Sequence, residues 1–346
     1  MQEYAEQSDL ARRVAGIELA ESATRVAVTL TTEPHGRRWQ QRLPTPPTPD
    51  EAVEVIAGLI ERALADTPKA TAASGDSTGA PGAVGLAVWG DVDGHAGVVR
   101  RLPPSGEWAQ YPLARRLASR LGTREEPRVT VVSGAQAAAL VAARLGDGTV
   151  ATSLLYVHLG RVVSSAYVSR GRILAGAHGA AAHLAHVAVQ QEGPRCACGG
   201  CGHLDAIASA QAIVRTMIGR ASDSDDSTAA MLRITGGRAE AMTAAQVAAL
   251  AEAGDPAARA VIAGAVSALA RALAHAVTLL DPEVLVLDGV LAGNGSGFQA
   301  ALQTELNQMC GPLSPAPPLR AAILPTSAAA LLGARLVGEH GLALLG

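Results

Sequence analysis

Aromatic side chains are scarce in this sequence. Among 346 residues there are one Phe, three Trp and four Tyr, so aromatics make up 2% of a chain that is 49% hydrophobic. A core of this composition has to be built from Ala, Val and Leu, which suits helices that pack closely on sheets. The length is sufficient for two units, each with a core of its own.

Strong net charge is missing as well. The 28 Lys and Arg residues are balanced by 31 Asp and Glu residues, which leaves a formal net charge of −3. This balance excludes the broad positive field with which a protein holds nucleic acid phosphates. Cysteines are few and unevenly placed, since Cys196, Cys198 and Cys201 lie together and Cys310 lies elsewhere. Such clustering indicates metal binding in a reducing compartment rather than a disulfide framework.

No uncharged apolar run is long enough to cross a bilayer. The longest apolar candidate helix covers residues 263–280 and carries Arg271 and His275. We therefore expect no membrane association and a cytoplasmic protein. Residues 1–13 are polar and acidic, which is not typical of a signal peptide, and we expect a disordered leader there.

Hydrophobic periodicity predicts a repeated α/β arrangement. Residues 14–30 have the pattern of a strand pair, and Val53, Ile56 and Ile60 have the spacing of a helix that begins at Asp50. Strand candidates recur from residue 153 onward. Further along, the pattern predicts one helix over 204–220 and an acidic loop over 221–228.

These elements suggest a division into two α/β lobes. We expect the leader at 1–13, an N-terminal lobe at 14–128 with a flexible insertion at 71–82, a C-terminal lobe at 129–320 with a zinc loop at 186–205, and a strand and helix at 321–346 that pack back on the N-terminal lobe.

One glycine-rich stretch carries the most specific chemistry of the chain. Cys196, Cys198, Cys201 and His203 fall within eight residues, and His186 lies ten residues before Cys196. Thiolate and imidazole are the ligands that Zn²⁺ prefers, four at a time in structural sites. Interleaved glycines accept the backbone angles that a tight loop around an ion demands. The spacing therefore predicts a metal-binding loop.

This stretch resembles the signature of the ROK family, which contains bacterial sugar kinases and sugar-responsive repressors. The family pattern is Gly-Glu-x-Gly-His, followed by Cys-x-Cys-Gly-x-x-Gly-Cys-Leu-Glu. His203 stands where the family has its third cysteine, and Asp205 stands for the glutamate. The positions that match the pattern directly are His186, Cys196, Cys198, Gly199, Gly202 and Leu204.

The resemblance implies a fold and a metal. The fold is the α/β, two-lobed actin-like/sugar-kinase ATPase fold, which is ribonuclease H-like, with a zinc-binding loop. The ligands of a structural Zn²⁺ are expected to be His186, Cys196, Cys198 and His203. Cys201 in place of His203 is the alternative, and it requires a slip of one residue in the loop.

The resemblance also identifies positions where phosphoryl transfer would need particular groups. The first phosphate turn of the family is Asp-x-Gly-Gly-Thr, whereas the matching positions here include Glu18, Glu21 and Ser22. The second turn, Gly-Thr-Gly-x-Gly, corresponds to residues 160–164, where only Gly160 remains. At the position of the catalytic aspartate stands Gly134, which has no side chain. These departures predict that the chain has no sugar-kinase activity. They also make ATP an unlikely ligand.

The polar groups of the family's sugar pocket are altered in the same way. Their counterparts here are Ser105, Ser133, His183, His186 and Asp205, with Gly134 at the base position and Trp108 retained. Trp108 is expected either to face a ligand or to pack beside the helix that begins near Pro112. A small sugar-like ligand is expected in this pocket, because convergent polar groups remain.

The functional interpretation at this stage is a non-catalytic, zinc-stabilised, sugar-sensing module related to transcriptional repressors. Too few residues precede Val14 for a winged helix, so we expect no direct DNA binding from this chain as given. By resemblance, it should form a homodimer or homotetramer. The competing interpretations are an ATP-dependent hexose or amino-sugar kinase with a displaced catalytic base, and a scaffold without a small ligand.

Overall fold

A computed structural model describes most of the chain, namely residues 13–21, 23–30, 39–66, 82–102, 106–122, 128–145, 151–292 and 297–346. Four features predicted from the sequence lie outside these residues, wholly or nearly so. They are the leader before residue 13, the insertion at 71–82 except for Gly82, and the site positions Ser22 and Ser105.

Twelve strands are found in the described residues. They are β1 (Arg13–Leu19), β2 (Thr24–Leu30), β3 (Trp39–Leu43), β4 (Ala83–Val88), β5 (Asp91–Asp93), β6 (Val98–Arg101), β7 (Arg128–Ser133), β8 (Ser153–Leu159), β9 (Val163–Ser169), β10 (Arg172–Ile173), β11 (Val284–Gly289) and β12 (Leu319–Ala321).

The α-helices within those residues are α1 (Pro49–Asp66), α2 (Leu113–Leu121), α3 (Gly134–Leu145), α4 (Asp205–Ala208), α5 (Ala210–Ala221), α6 (Asp225–Ile234), α7 (Ala244–Glu252), α8 (Pro256–Leu280), α9 (Gly297–Met309) and α10 (Thr326–His340). Short 3₁₀ turns cover Gly106–Trp108, Leu184–His186, Ala239–Ala241 and Gly341–Leu344.

Two five-stranded sheets share one topology. The first has the order β3-β2-β1-β4-β7, and the second has the order β10-β9-β8-β11-β12. In the first, β1, β2 and β3 run antiparallel, whereas β4 and β7 continue parallel to β1. In the second, β11 is parallel to both β8 and β12. The repeat confirms the predicted actin-like, ribonuclease H-like α/β fold.

The chain divides into two compact units. Unit 1 comprises residues 1–146, 168–181 and 324–346, and unit 2 comprises 147–167 and 182–323. In unit 1 the apolar face of α1 is buried, including Ile56 and Ile60, as their helical spacing predicts. Helix α10 packs on β1 and β4 within the same unit.

Helix α8 forms the centre of unit 2. It is capped by Asp255, whose side chain accepts from the amide of Ala258, and Pro256 stands at its first position. Its 25 residues are long and apolar enough to cross a membrane by length and composition alone, but 56% of its most apolar window is buried inside the protein. That burial is typical of a core helix, and Leu269 and Leu273 are fully enclosed.

Two predictions for the segment after the cysteines were wrong. The single helix predicted over 204–220 is interrupted at Ser209, whose extended backbone and side chain cap α5 by accepting from the amide of Ala212. The acidic loop predicted over 221–228 ends early, because Ser224 caps α6 in the same manner. Acidic residues favour a helix N-terminus, so Asp225 and Asp226 begin this helix rather than prevent it.

Candidate active site and metal centre

Four proposed metal ligands come together in unit 2. One ligand atom from each of His186, Cys196, Cys198 and His203 lies within 4.8 Å of the others. The Cys196 Sγ atom is 3.8 Å from His186 Nδ1, and the Cys198 Sγ atom is 3.1 Å from His203 Nδ1. A tetrahedral zinc ion with bonds of about 2.0–2.3 Å fits among donors at such distances. The chemistry of this donor set matches a structural zinc site.

The backbone around the cysteines forms a closed loop. The amide of Cys196 donates to the carbonyl of Gly200 at 2.8 Å, and Arg195 and Cys201 form a bridge of two extended residues. Gly202 adopts a φ of +65°, and a Cβ there would lie 1.5 Å from the Gln190 carbonyl oxygen. Only glycine fits, which is the physical reason for this residue between the ligands.

Cys201, the alternative fourth ligand, is exposed and does not belong to the cluster that His203 joins. Burial raises the pKa of the Cys196 thiol. In the absence of a cation this sulfur therefore keeps its proton, and metal binding would release it. The choice of His203 over Cys201 remains a prediction about the metal-bound protein.

Two predicted sugar-contacting residues, His183 and Asp205, are found beside this cluster. The rings of His183 and His186 form an edge-to-face pair with centroids 5.3 Å apart. Asp205 begins α4, and its Oδ1 atom accepts a hydrogen bond of 2.7 Å from the amide of Val163. His183 therefore contacts one ligand of the cluster, and Asp205 follows two residues after another, His203.

The position of the family's catalytic aspartate lies in unit 1, at the start of α3. Ser133 caps this helix, because its hydroxyl accepts from the amide of Gln136 and its own amide donates to the Gln136 side chain. Gly134 follows directly. A Cβ on Gly134 would lie 2.3 Å from the indole of Trp89. The space that a carboxylate would need is therefore already filled by an aromatic ring.

Trp89 is held over Gly134 by the first strand. Its Nε1 atom donates to Glu18 Oε1 at 3.0 Å, and Arg25 forms an ion pair with the other oxygen of Glu18. Glu18 is 2% exposed, and this burial raises its pKa even though Arg25 lowers it. Trp89 was not among the predicted site residues, although a tryptophan directly after a buried strand is a usable signal in a chain with so few aromatics.

Trp108 lies inside the core of unit 1. It is 2% exposed, and its ring makes an edge-to-face contact with Tyr111 at 5.7 Å between centroids. Tyr111 in turn donates to Asp50 Oδ1 at 2.5 Å. These contacts place Trp108 in the packing role that was one of its two expected roles. Ser105, the other predicted ligand contact of this segment, lies outside the described residues.

A histidine–aspartate pair stands near the second phosphate turn, in unit 2. His158 Nδ1 is 3.0 Å from Asp288 Oδ2, and the hydroxyl of Tyr156 donates to the same carboxylate. A Cβ on Gly160 would lie 2.3 Å from His158 Nε2. The imidazole therefore packs against the turn that begins at Gly160, an arrangement that the sequence analysis did not anticipate.

Unit 2 also contains a cavity of about 450 Å³. It is bordered by α7, α8, α9 and the segment after β11, including Val290 and Leu291. Alanine, branched aliphatic residues and Phe298 form most of its wall, and Arg259 and Glu305 contribute charge. Ligands of open α/β sheets bind outside the carboxyl ends of the strands. The cavity lies at the carboxyl end of β11, because Val290 and Leu291 directly follow that strand.

The ROK family profile matches residues 14–338. The chain belongs to the ROK family. It is 31% identical over 212 residues to a glucokinase of Thermotoga maritima, covering 61% of this chain and 65% of that enzyme, just under two thirds of its length. It is 25% identical over 276 residues to a Streptomyces coelicolor glucokinase, covering 79% and 80%. The ROK hexokinase from Thermus thermophilus superposes with a TM-score of 0.73 at 28% identity, covering 96% and 99%.

These relatives correct the functional interpretation made from the sequence. Curated relatives are named glucokinase or N-acetylmannosamine kinase, so the non-catalytic, regulator-like interpretation was wrong and the kinase alternative is favoured. The prediction that ATP is an unlikely ligand depended on that interpretation and is no longer supported. A ROK transcriptional regulator, a homolog of the E. coli MLC protein, has a TM-score of 0.74 at 20% identity, covering 96% of this chain and 80% of that one. At that identity the likeness concerns the fold alone.

Proposed function

We propose that this ROK protein is an ATP-dependent carbohydrate kinase that acts on a hexose or an amino sugar. One observation carries the proposal: the aligned relatives are sugar kinases by name, including glucokinases and N-acetylmannosamine kinases, and one alignment spans 79% of this chain. The reaction transfers the terminal phosphoryl group of ATP to a sugar hydroxyl and leaves ADP, and the hydroxyl proton has to pass to a base.

The nucleotide is assigned to the cavity of unit 2. In the family a glycine run that follows a strand lies near the adenosine, and the matching residues here are 288–290. By this resemblance we infer that the adenosine lies there, and Val290 and Leu291 border the cavity. A volume of about 450 Å³ is in the range of sites for small molecules and cofactors. Apolar walls with a few polar groups suit a planar base, with the phosphates directed towards the end of β11.

We assign the base to His183. Gly134 has no side chain, and Trp89 fills the space beside it. On the polar face of unit 2, His186 belongs to the proposed metal cluster and Asp205 is held by the amide of Val163. The ring of His183 contacts that of His186, with centroids 5.3 Å apart, and imidazole is the side chain most often used as a general base. Asp205 would then position the sugar.

Zn²⁺ is proposed as a structural ion held by His186, Cys196, Cys198 and His203. Its charge would fix the loop that carries His183 and Asp205, and no catalytic step is assigned to it. We propose that the protein acts in the cytoplasm without membrane attachment. We also propose that it assembles as a homodimer or homotetramer.

A coupled assay of ADP release over a panel of hexoses and amino sugars tests the function. We expect sugar-dependent release from zinc-loaded protein. Replacing His183 with Gln should lower kcat by about 10²- to 10⁴-fold while changing KM less, because the base acts in the transition state. His178→Gln, a change at an exposed histidine outside this region, is the control.

Two results would separate the parts of the proposal. If no sugar stimulates ADP release from correctly folded, metal-loaded protein, the kinase assignment is wrong. If release is sugar-dependent but His183→Gln retains the full kcat, the kinase stands and the base lies elsewhere. Asp205→Asn should then be measured, and a rise in KM with kcat preserved would assign it to sugar binding.

A further inference from the structure

Trp89 stands at the carboxyl ends of the parallel strands of unit 1. It directly follows β4, and its amide donates at 2.9 Å to the carbonyl of Leu19, the last residue of β1. The end of β7 lies at the same level, because Ser133 pairs with Val88 of β4. Ligands of open α/β sheets bind outside the carboxyl ends of the strands. The tryptophan is therefore placed where unit 1 would contact a substrate.

Two contacts fix the position and the tilt of the Trp89 ring. A Cβ on Gly134 would lie 2.3 Å from Cδ2 and 2.4 Å from Cε2 of the indole. These two atoms are shared by both rings of the indole, so the glycine lies against a face of the ring system and not against its edge. The Nε1 atom donates at 3.0 Å to Glu18, which is 2% exposed and paired with Arg25. One face and the pyrrole edge are thus held by the protein.

The remaining surface of the indole is accessible in part, since Trp89 as a whole is half-buried. One face lies on Gly134 and Nε1 is bonded to a buried carboxylate, so the exposed surface belongs to the opposite face and to the outer edge of the six-membered ring. Trp108, for which a ligand-facing role was one expectation, is only 2% exposed. Of these two tryptophans, Trp89 is the one that presents an aromatic surface to a ligand.

A rigid aromatic surface suits the ring of a pyranose sugar. In the chair form of glucose the axial C–H bonds on each side of the ring point the same way and form an apolar patch. The face of an aromatic ring carries partial negative charge, so it attracts the partly positive hydrogens of these bonds while apolar area is buried. A ring that the protein already holds in place loses little conformational freedom when the sugar binds.

We propose that Trp89 is the stacking surface for the sugar and binds the apolar side of a hexopyranose ring. The inference rests on the proposed function, because it names a group that holds the sugar of that kinase. It also gives a reason for Gly134, since any side chain there would collide with the indole. Stacking acts on the bound sugar before and during the reaction, so Trp89 should affect KM more than kcat.

Tryptophan fluorescence and titration calorimetry test the inference, with glucose, N-acetylglucosamine and N-acetylmannosamine as probes for zinc-loaded protein. Trp39 is the matched control, because it is also half-buried and its Nε1 atom donates to a carboxylate, Asp66 Oδ2, at 3.2 Å. A sugar that binds should change the fluorescence of wild type and of Trp39→Phe. The change should disappear in Trp89→Phe, which lacks the reporting indole.

Two substitutions separate the aromatic face from apolar bulk. Neither Phe nor Leu can donate to Glu18, but only Phe keeps an aromatic face. We expect Kd and KM for the sugar to rise about threefold in Trp89→Phe and about tenfold or more in Trp89→Leu, with kcat changed less than KM. Thermal unfolding of each variant shows whether the fold is retained.

A wild-type Kd in folded Trp89→Leu overturns the inference, and so does a fluorescence change that persists in Trp89→Phe. If either occurs while sugar-dependent ADP release is normal, the kinase assignment stands. If a sugar binds through Trp89 but is not phosphorylated, the inference stands and the kinase assignment fails. Absence of both binding and stimulated ADP release with all three sugars overturns both.

Discussion

The metal loop of unit 2 and the start of α3 in unit 1 depart from the family pattern in different ways. In the loop, His203 stands for a cysteine, yet its Nδ1 atom lies 3.1 Å from Cys198 Sγ, within the cluster of donors. At the start of α3, Gly134 stands for an aspartate, and the Trp89 indole occupies the adjoining space. In the metal loop, one metal-donor residue replaces another. At the start of α3, a carboxylate is lost and an aromatic ring packs in its place.

The difference follows from what each chemistry requires. A structural metal ion needs four suitable donors at suitable distances, so histidine can replace cysteine if the loop brings a nitrogen to the same place. A general base has to reach one proton of one substrate, so its replacement by glycine leaves nothing at that point. A kinase with this sequence must then take its base from another element, and His183 beside the metal loop is the one we propose.

The largest expected effect on stability comes from replacing a ligand in the metal loop. Cys198→Ser removes a proposed zinc ligand, so we expect loss of about one zinc per chain and a fall in the free energy of unfolding of roughly 3 kcal/mol or more. Metal analysis and thermal unfolding of purified protein measure the two quantities. Cys201→Ser is the matched control, because Cys201 is exposed and lies outside the cluster. Zinc loss in Cys201→Ser together with zinc retention in His203→Ala would assign the fourth ligand to Cys201 instead of His203.

A substitution at the start of α3 is expected to have an intermediate effect on the free energy of unfolding. Gly134→Asp restores the family's carboxylate, but the new Cβ would meet the Trp89 indole at 2.3 Å. We expect the free energy of unfolding to fall by about 1–3 kcal/mol, with no gain in sugar-dependent kcat. Denaturant titration measures the first quantity, and the coupled assay measures the second.

The Trp89→Ala single variant and the double variant complete a mutant cycle. Removal of the ring should relieve the clash, so Gly134→Asp should cost less in that background. Equal costs with and without Trp89 would mean that the ring does not fill the site. A large rise in kcat for Gly134→Asp alone would restore the family's own base position and remove the need for His183.

The smallest effect is the pH dependence that Glu18 contributes. Burial raises its pKa above the ordinary value of 4.5, against the opposing effect of Arg25. The folded protein then holds this proton more tightly than the unfolded chain does. Its contribution to stability is full below pH 4.5 and is lost as the pH rises through the raised pKa.

Glu18→Gln removes this titration while keeping an acceptor for Trp89. The stability of the variant relative to wild type should therefore increase as the pH rises above 4.5 and through the raised pKa of Glu18, as followed by denaturant titration at several pH values. Glu21→Gln, an exposed carboxylate in the adjacent turn, controls for the general change in charge. A relative stability that falls over this range would mean that the ion pair with Arg25 outweighs burial.

Much of the fold was accessible from sequence because it depends on local patterns. The helical spacing of Val53, Ile56 and Ile60 predicted α1, and the ROK resemblance predicted the two-lobed actin-like fold. The error over residues 221–228 was also local, since Ser224 and the acids after it were taken for a loop although they cap α6. The functional error had another origin: the altered positions were given more weight than the alternative of a kinase with a displaced catalytic base.

The sequence by itself determined the family, the two-sheet plan and the types of donor in the metal loop, because these are recorded in short spacings and in hydrophobic periodicity. Tertiary structure alone decided that Trp89 covers Gly134 and that His158 pairs with Asp288. The physical reason is that burial and pairing depend on which distant segments pack together. No pattern within a few residues specifies that packing.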